Sequence, residues 1–99
     1  VLITAPRGKR AEILAKGLVE ARLAACVNVV PGLISHYRWQ GRLCRDNECL
    51  LIAKTSAAKL SAMKRWIATH HPYSVPELIA LPVVGGSKTY LAWLGEQVA

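Results

Sequence analysis

The segment His70-His71-Pro72-Tyr73-Ser74-Val75-Pro76-Glu77 gathers two imidazoles, a phenol and a carboxylate between two prolines. Neutral imidazole is a good ligand for Cu(II), zinc and nickel, so metal binding is the first chemistry these residue types bring into view. A helical pattern runs into the segment from Lys59. Pro72 cannot continue that helix and pushes His71 out of the α region, so the helix is expected to end there. Adjacent side chains at a helix end point about 100° apart, so the two rings need not converge on one ion. Imidazolium at a helix C-terminus also complements the macrodipole and bonds the free carbonyls. On these residues alone, capping and packing stand ahead of ligation.

Other residues carry less. Pro6-Arg7-Gly8-Lys9-Arg10 leads from a strand into a helix N-terminus, where free amides favour an anion. It lacks the second glycine and the Lys-Ser/Thr pair of a phosphate-binding loop, and it reads as a solvated basic loop. Cys26, just after the first helix, reads as a small buried hydrophobe. Lys54 and Glu77 flank strands and can form an ion pair. No set of nucleophile, base and orienting group can be read off, so catalysis is not supported. The three cysteines form no Cys-x-x-Cys or zinc-knuckle spacing, and Cys44 and Cys49 are too far apart on one extended strand to bridge. A reducing, intracellular compartment follows as the default.

The elements that must position these residues come from periodicity. Val1 to Thr4 reads as a buried strand. A helix follows from about Arg10 to Ala24, with Ala11, Leu14, Ala15 and Leu18 on its inner stripe. Val27 to Gln40 is β-rich and broken at Pro31-Gly32 by a bulge or kink. Gln40-Gly41 is a hairpin turn, and Leu43 to Thr55 returns. Ser56 caps a second helix whose inner stripe is Leu60, Met63 and Ile67. A fourth strand, Leu78 to Val83, precedes a last amphipathic helix carrying Tyr90, Leu91, Leu94 and Val98.

This β-α-β-β-α-β-α order predicts an α+β, ferredoxin-like antiparallel sheet with an extra C-terminal helix. Both crossover helices lie on one face, and the strand order is 4-1-3-2. Pro31 and Pro82 fall in the two edge strands. Leu50 to Ala53 and Leu78 to Leu81 are apolar on both faces, whereas a sheet with one wet face should alternate. Homo-oligomerisation through the open face is the simplest cover.

The 99 residues fit one domain, 1–99, with 53% hydrophobic residues and a formal charge of +7. The basic residues are scattered, which favours a solvated basic surface. The expected central strands carry no aromatics for base stacking, so nucleic acid is not an expected partner. No run approaches membrane-spanning length and no signal peptide is visible. The sequence opens at Val1 rather than methionine, which leaves room for native residues before it.

Longer motifs carry a family resemblance. Arg22-Leu23-Ala24-Ala25-Cys26-Val27-Asn28-Val29-Val30-Pro31-Gly32, Tyr37-Arg38-Trp39-Gln40-Gly41, Lys54-Thr55, His70 to Glu77 and Tyr90-Leu91-Ala92-Trp93-Leu94 together resemble the CutA divalent-cation tolerance proteins. The resemblance covers essentially the whole chain. It implies a cytoplasmic homotrimer, similar to PII-type signalling proteins, that binds copper or another divalent cation in metal tolerance and has no established enzymatic activity. It implies His70 and His71 as metal ligands, with Cys26 as a possible additional thiol. A family cysteine beside the first strand's Thr-Ala-Pro is Ile3 here, which removes a soft ligand. The resemblance further implies an intersubunit cleft lined by Trp39, Lys54, Tyr73 and Glu77. From that cleft comes the alternative function, a PII-like signalling or scaffold trimer binding a small anionic ligand.

Overall fold

The computed structural model describes residues 1–99. In chain order it contains β1 (Leu2–Pro6), α1 (Lys9–Glu20), β2 (Cys26–Trp39), β3 (Arg42–Lys54), α2 (Leu60–His70) and α3 (Lys88–Gln97), with a 3-10 turn at Ala57–Lys59 leading into α2. The sheet is antiparallel with β3 at its centre, in the order β1-β3-β2.

The register of β3 sorts the side chains. Ile3 lies opposite Leu51, Ala5 opposite Cys49, and Val27 opposite Ala53. Because successive residues on a strand face opposite sides, these positions share one face. On it Ile3, Ala5, Cys49, Leu51 and Ala53 are buried in one core with Ala11, Leu14, Ala15 and Leu18 of α1 and Met63 and Ile67 of α2. The helical stripes expected from periodicity are therefore the ones buried, although Leu60 is only half-buried. Leu2, Leu50 and Ile52 occupy the other face and are also half-buried.

Local chemistry explains the turns. Gln40 and Gly41 both have positive φ (49° and 77°), the geometry of the two-residue turn whose twist matches paired strands. The expected break in β2 is a register shift between Val30 and Leu33, with Gly32 at φ 82°. α1 ends four residues earlier than its pattern suggests. Arg22 adopts φ 57°, and the amides of Leu23 and Ala24 both donate back to the Leu18 carbonyl, at 3.0 and 3.2 Å. Ser56 precedes the 3-10 turn rather than α2 and makes no side-chain capping bond.

The expected fourth strand, Leu78 to Val83, is not formed. It shrinks to one bridge, in which Leu2 and Ile79 exchange backbone bonds of 2.8 and 3.0 Å. The bridge places the segment beside β1, as the order 4-1-3-2 requires. Pro76 and Pro82 remove donors on either side of it, and a single chain supplies no strand for its outer edge. Residues 79 to 93 are all exposed, and α3 fully buries no residue; of its expected inner stripe Tyr90 and Leu91 are exposed, Leu94 is half-buried, and only Val98, just past the helix end, is buried.

The accessible surface is 6694 Å². A compact monomer of this mass exposes about 5,500 Å². The radius of gyration, 14.1 Å, is likewise larger than the ~13 Å of a compact chain this long, because the β2–β3 hairpin projects past the core.

α1 and α2 meet at Gly17. A Cβ built there would fall 2.6 and 2.7 Å from two atoms of the Trp66 ring, so the helices can approach only because position 17 has no side chain. Gly17→Ala gains about 1 kcal/mol of helix propensity. It also forces the indole aside at a cost of about 1–3 kcal/mol. The expected result is a less stable protein with altered Trp66 packing, read by urea denaturation. A variant more stable than the parent would mean that this contact yields freely.

Candidate functional site

The end of α2 gives its two histidines different tasks. His70 is the last helical residue. Its ring stacks on Trp66, four residues back, with centroids 3.9 Å apart and planes 12° from parallel. Its Nδ1 donates to the Trp66 carbonyl at 2.8 Å, so Nε2 is the nitrogen left on an exposed ring. His71 is extended (φ −75°, ψ 139°), as a residue before proline should be. That turn carries its ring inward to 7% exposure. There Nδ1 accepts from the Tyr73 amide at 3.1 Å, which leaves Nε2 to donate to the Thr4 carbonyl at 2.8 Å. His71 thus ties the loop after α2 to β1, and ligation through it requires one of those bonds to be given up.

Lys54 and Cys26 lie opposite each other where β3 ends and β2 begins. The Lys54 ammonium is 3.7 Å from the Cys26 sulfur and donates to the Asn28 side-chain oxygen. Cys26 is only half-buried, not sealed in the core. No three His, Cys, Asp or Glu side chains of one chain converge closely enough to hold a metal ion.

A cleft of about 650 Å³ opens where the hairpin passes the loop after α2. Its functional lining is Tyr37 and Trp39 from β2, Asp46 and Glu48 from β3, and Tyr73 and Glu77 from the loop. Three of the expected cleft residues, Trp39, Tyr73 and Glu77, are brought together. Lys54 is not, since six residues of extended strand, about 20 Å, separate it from Glu48. Tyr37, Asp46 and Glu48 were not among the expected site residues. The available signal was spacing two along each strand: Asp46 and Glu48 share a face of β3, and Tyr37 and Trp39 share a face of β2.

Two phenol–carboxylate pairs organise the cleft. The Tyr73 hydroxyl donates to Glu48 Oε2 at 2.8 Å, and the Tyr37 hydroxyl donates to Asp46 Oδ2. Burial pushes the Tyr73 phenol well above its ordinary range, helped by the bond to Glu48 and that carboxylate's charge. The bond to Asp46 is the main reason the Tyr37 phenol is pushed up to about 12. Glu48 is only 6% exposed. Three of the chain's six acidic residues line this cleft and none of its thirteen Lys and Arg residues does, so the cleft is acidic on a basic protein.

Comparison with known proteins gives the chain its relatives. The family described as CutA1 divalent ion tolerance protein matches residues 1–97. A divalent-cation tolerance protein CutA of Thermus thermophilus is 52% identical over 97% of this chain and 93% of its own length. A CutA homolog of Xenopus laevis is 46% identical, and there the match spans only 64% of the relative. The solved Cut A1 structure from Thermus thermophilus superposes with a TM-score of 0.96, covering 99% of this chain and 95% of that one, at 50% identity. A structure described as a PII-like protein CutA, from Nostoc, gives 0.91 over 99% and 94%, at 30% identity. One titled a periplasmic divalent cation tolerance protein, from Archaeoglobus fulgidus, gives 0.95 over 99% and 95%, at 37%.

The phenol–carboxylate pairing has an alkaline signature. A phenol raised in the folded state favours folding below its unfolded value, about 10, and loses that contribution as pH rises through its folded value. Stability should therefore fall between about pH 10 and 12. Asp46→Asn should bring part of the phenolate absorbance rise back toward pH 10. An alkaline absorbance titration identical in the parent and the variant would show that Asp46 does not hold the Tyr37 proton.

Proposed function

This chain belongs to the CutA1 divalent ion tolerance protein family, and we propose that it is a homotrimeric, non-enzymatic metal-response protein that binds copper or another divalent cation in metal tolerance. The observation that carries this is the family match across residues 1–97. Within the chain, His70 is the better ligand of the histidine pair, because Trp66 fixes its ring and leaves Nε2 outward. His71 contributes by giving up its bond to the Thr4 carbonyl or the Tyr73 amide. Cys26 is a possible additional thiol, with Lys54 beside it. Ile3 is fully buried in the core, so its position offers no ligand. One chain lacks a three-ligand set, so the ion is held weakly or with ligands from more than one copy.

Assembly is supported by the surplus surface. The excess over a compact monomer, about 1,200 Å², exceeds what one partner buries in a standard interface. A cytoplasmic setting is in keeping with three unpaired cysteines; no helix is long and apolar enough to cross a membrane. The alternative, a PII-like signalling trimer with a small anion in an intersubunit cleft, draws on the likeness to the Nostoc protein described as PII-like. The acidic lining in this chain favours a cation over an anion there, and Lys54 would have to come from elsewhere in an assembly.

Two measurements test these proposals. Copper titration by calorimetry should give saturable binding at micromolar or tighter affinity. That binding should weaken on acidification, because a protonated imidazole has no lone pair to give. It should weaken about tenfold or more in His70→Ala, the loss expected when a metal-site residue is removed. Unchanged binding in the His70→Ala, His71→Ala double variant would remove both ligands from the account. Light scattering should give the mass of three chains. Ile52→Asp, on the half-covered face, should weaken assembly, whereas Leu51→Asp, in the core, should unfold the chain. An Ile52→Asp trimer as heat-stable as the parent would place the interface elsewhere.

A further inference from the structure

We propose that the cleft between the β2–β3 hairpin and the loop after α2 binds an elongated organic polycation of the polyamine class. This goes beyond the metal reading and uses different residues. Glu48 carries the inference. The residue is 6% exposed, it lines the cleft, and its side-chain hydrogen bond is to a neutral phenol, the Tyr73 hydroxyl. A carboxylate taken out of water without a cation is costly, and an incoming ammonium supplies the missing charge.

The remaining lining fits the same class. Asp46 and Glu77 add two more carboxylates, and no lysine or arginine of the same chain lines the cleft to neutralise them. Asp46 Oδ2 is occupied by the Tyr37 hydroxyl, so each bonded carboxylate keeps a second oxygen for a ligand. These acids do not converge into a three-ligand metal set. Separated negative charges suit separated positive charges on one flexible ligand rather than a single ion. The same lining holds Trp39, Tyr37 and Tyr73, whose ring faces attract ammonium groups and whose apolar area receives methylene stems. A cleft of about 650 Å³ lies within the range that admits such a molecule. The chain's net charge of +7 opposes a polycation only at long range, since salt screens charges beyond about 8 Å.

Spermidine is the probe. Titration of the full-length protein at physiological salt should show saturable binding with a change in Trp39 emission. The Asp46→Asn, Glu77→Gln double variant should bind at least tenfold more weakly while keeping the parent's circular dichroism, because both side chains are exposed. Glu48→Gln, which keeps an acceptor for Tyr73, should also weaken binding. No spermidine binding by the parent, or equal affinity in the double variant, overturns the proposal. So does displacement of spermidine by magnesium at equal concentration, which would mark the cleft as indifferent to ligand shape. His70→Ala should bind spermidine as the parent does. Loss of copper binding in that variant with spermidine binding intact separates the two sites. A parent that ignores copper and binds spermidine removes the metal reading and leaves this one standing.

Discussion

The register of β3 against β1 and β2 governs both the core and the cleft. Cys49, Leu51 and Ala53 face the helices, and Glu48, Leu50 and Ile52 face away. A slip of one residue would turn Glu48 and Lys54 into the core and expose Leu51. The two-residue turn at Gln40-Gly41 fixes one end of the pairing, because only a tight turn with both φ values positive matches the strands there. The shift between Val30 and Leu33 then takes up Pro31 and Gly32 without losing the pairing beyond. Past it, Ser35 faces Asp46 and Tyr37 faces Cys44, which makes Tyr37 and Asp46 diagonal neighbours on one face. The phenol–carboxylate contact exists because of that register.

Much of the fold could be read from sequence because it rests on local periodicity. The α1 stripe of Ala11, Leu14, Ala15 and Leu18, the Met63 and Ile67 positions of α2, the hairpin turn and the β2 irregularity each follow from residues a few positions apart. Leu78 to Val83 failed for a complementary reason. Its residues favour a strand, but a strand forms only where a neighbour supplies bonds, and one chain offers it a single bridge at Ile79. The cleft was half legible. Trp39, Tyr73 and Glu77 came through the family resemblance, whereas Glu48 is defined by Tyr73, 25 residues away, and no spacing rule joins them. Lys54, which the resemblance assigns to an intersubunit cleft, lies within one chain at the far end of β3 from Glu48.

The histidine pair shows how backbone geometry divides side chains of the same type. His70 is still helical, so its ring lies back over Trp66, one turn earlier, and takes that residue's carbonyl. His71 must be extended because Pro72 follows, and the change of backbone swings its ring under β1. Adjacency in sequence therefore produced one outward nitrogen and one structural tie. The same tie holds the backbone at Tyr73, so the hydroxyl that meets Glu48 is aimed by His71.

The surface that one chain leaves uncovered has a shape as well as an area. β2 is a sheet edge, and beyond Ile79 the segment running to Gly86 forms no regular element and leaves Leu81, Val83 and Val84 in water. An unpaired edge beside an exposed β-branched run is a template for another chain, and soluble proteins blunt such edges or cover them. Pro31 and Pro82 blunt these two in part, but the apolar side chains remain. Edges at opposite sides of one sheet suit head-to-tail contact between copies, which closes into a ring when the rotation per copy permits. Under the proposed assembly, the missing fourth strand, the uncovered α3 and the half-buried Leu50 and Ile52 would share one cause, a cover supplied by neighbouring copies.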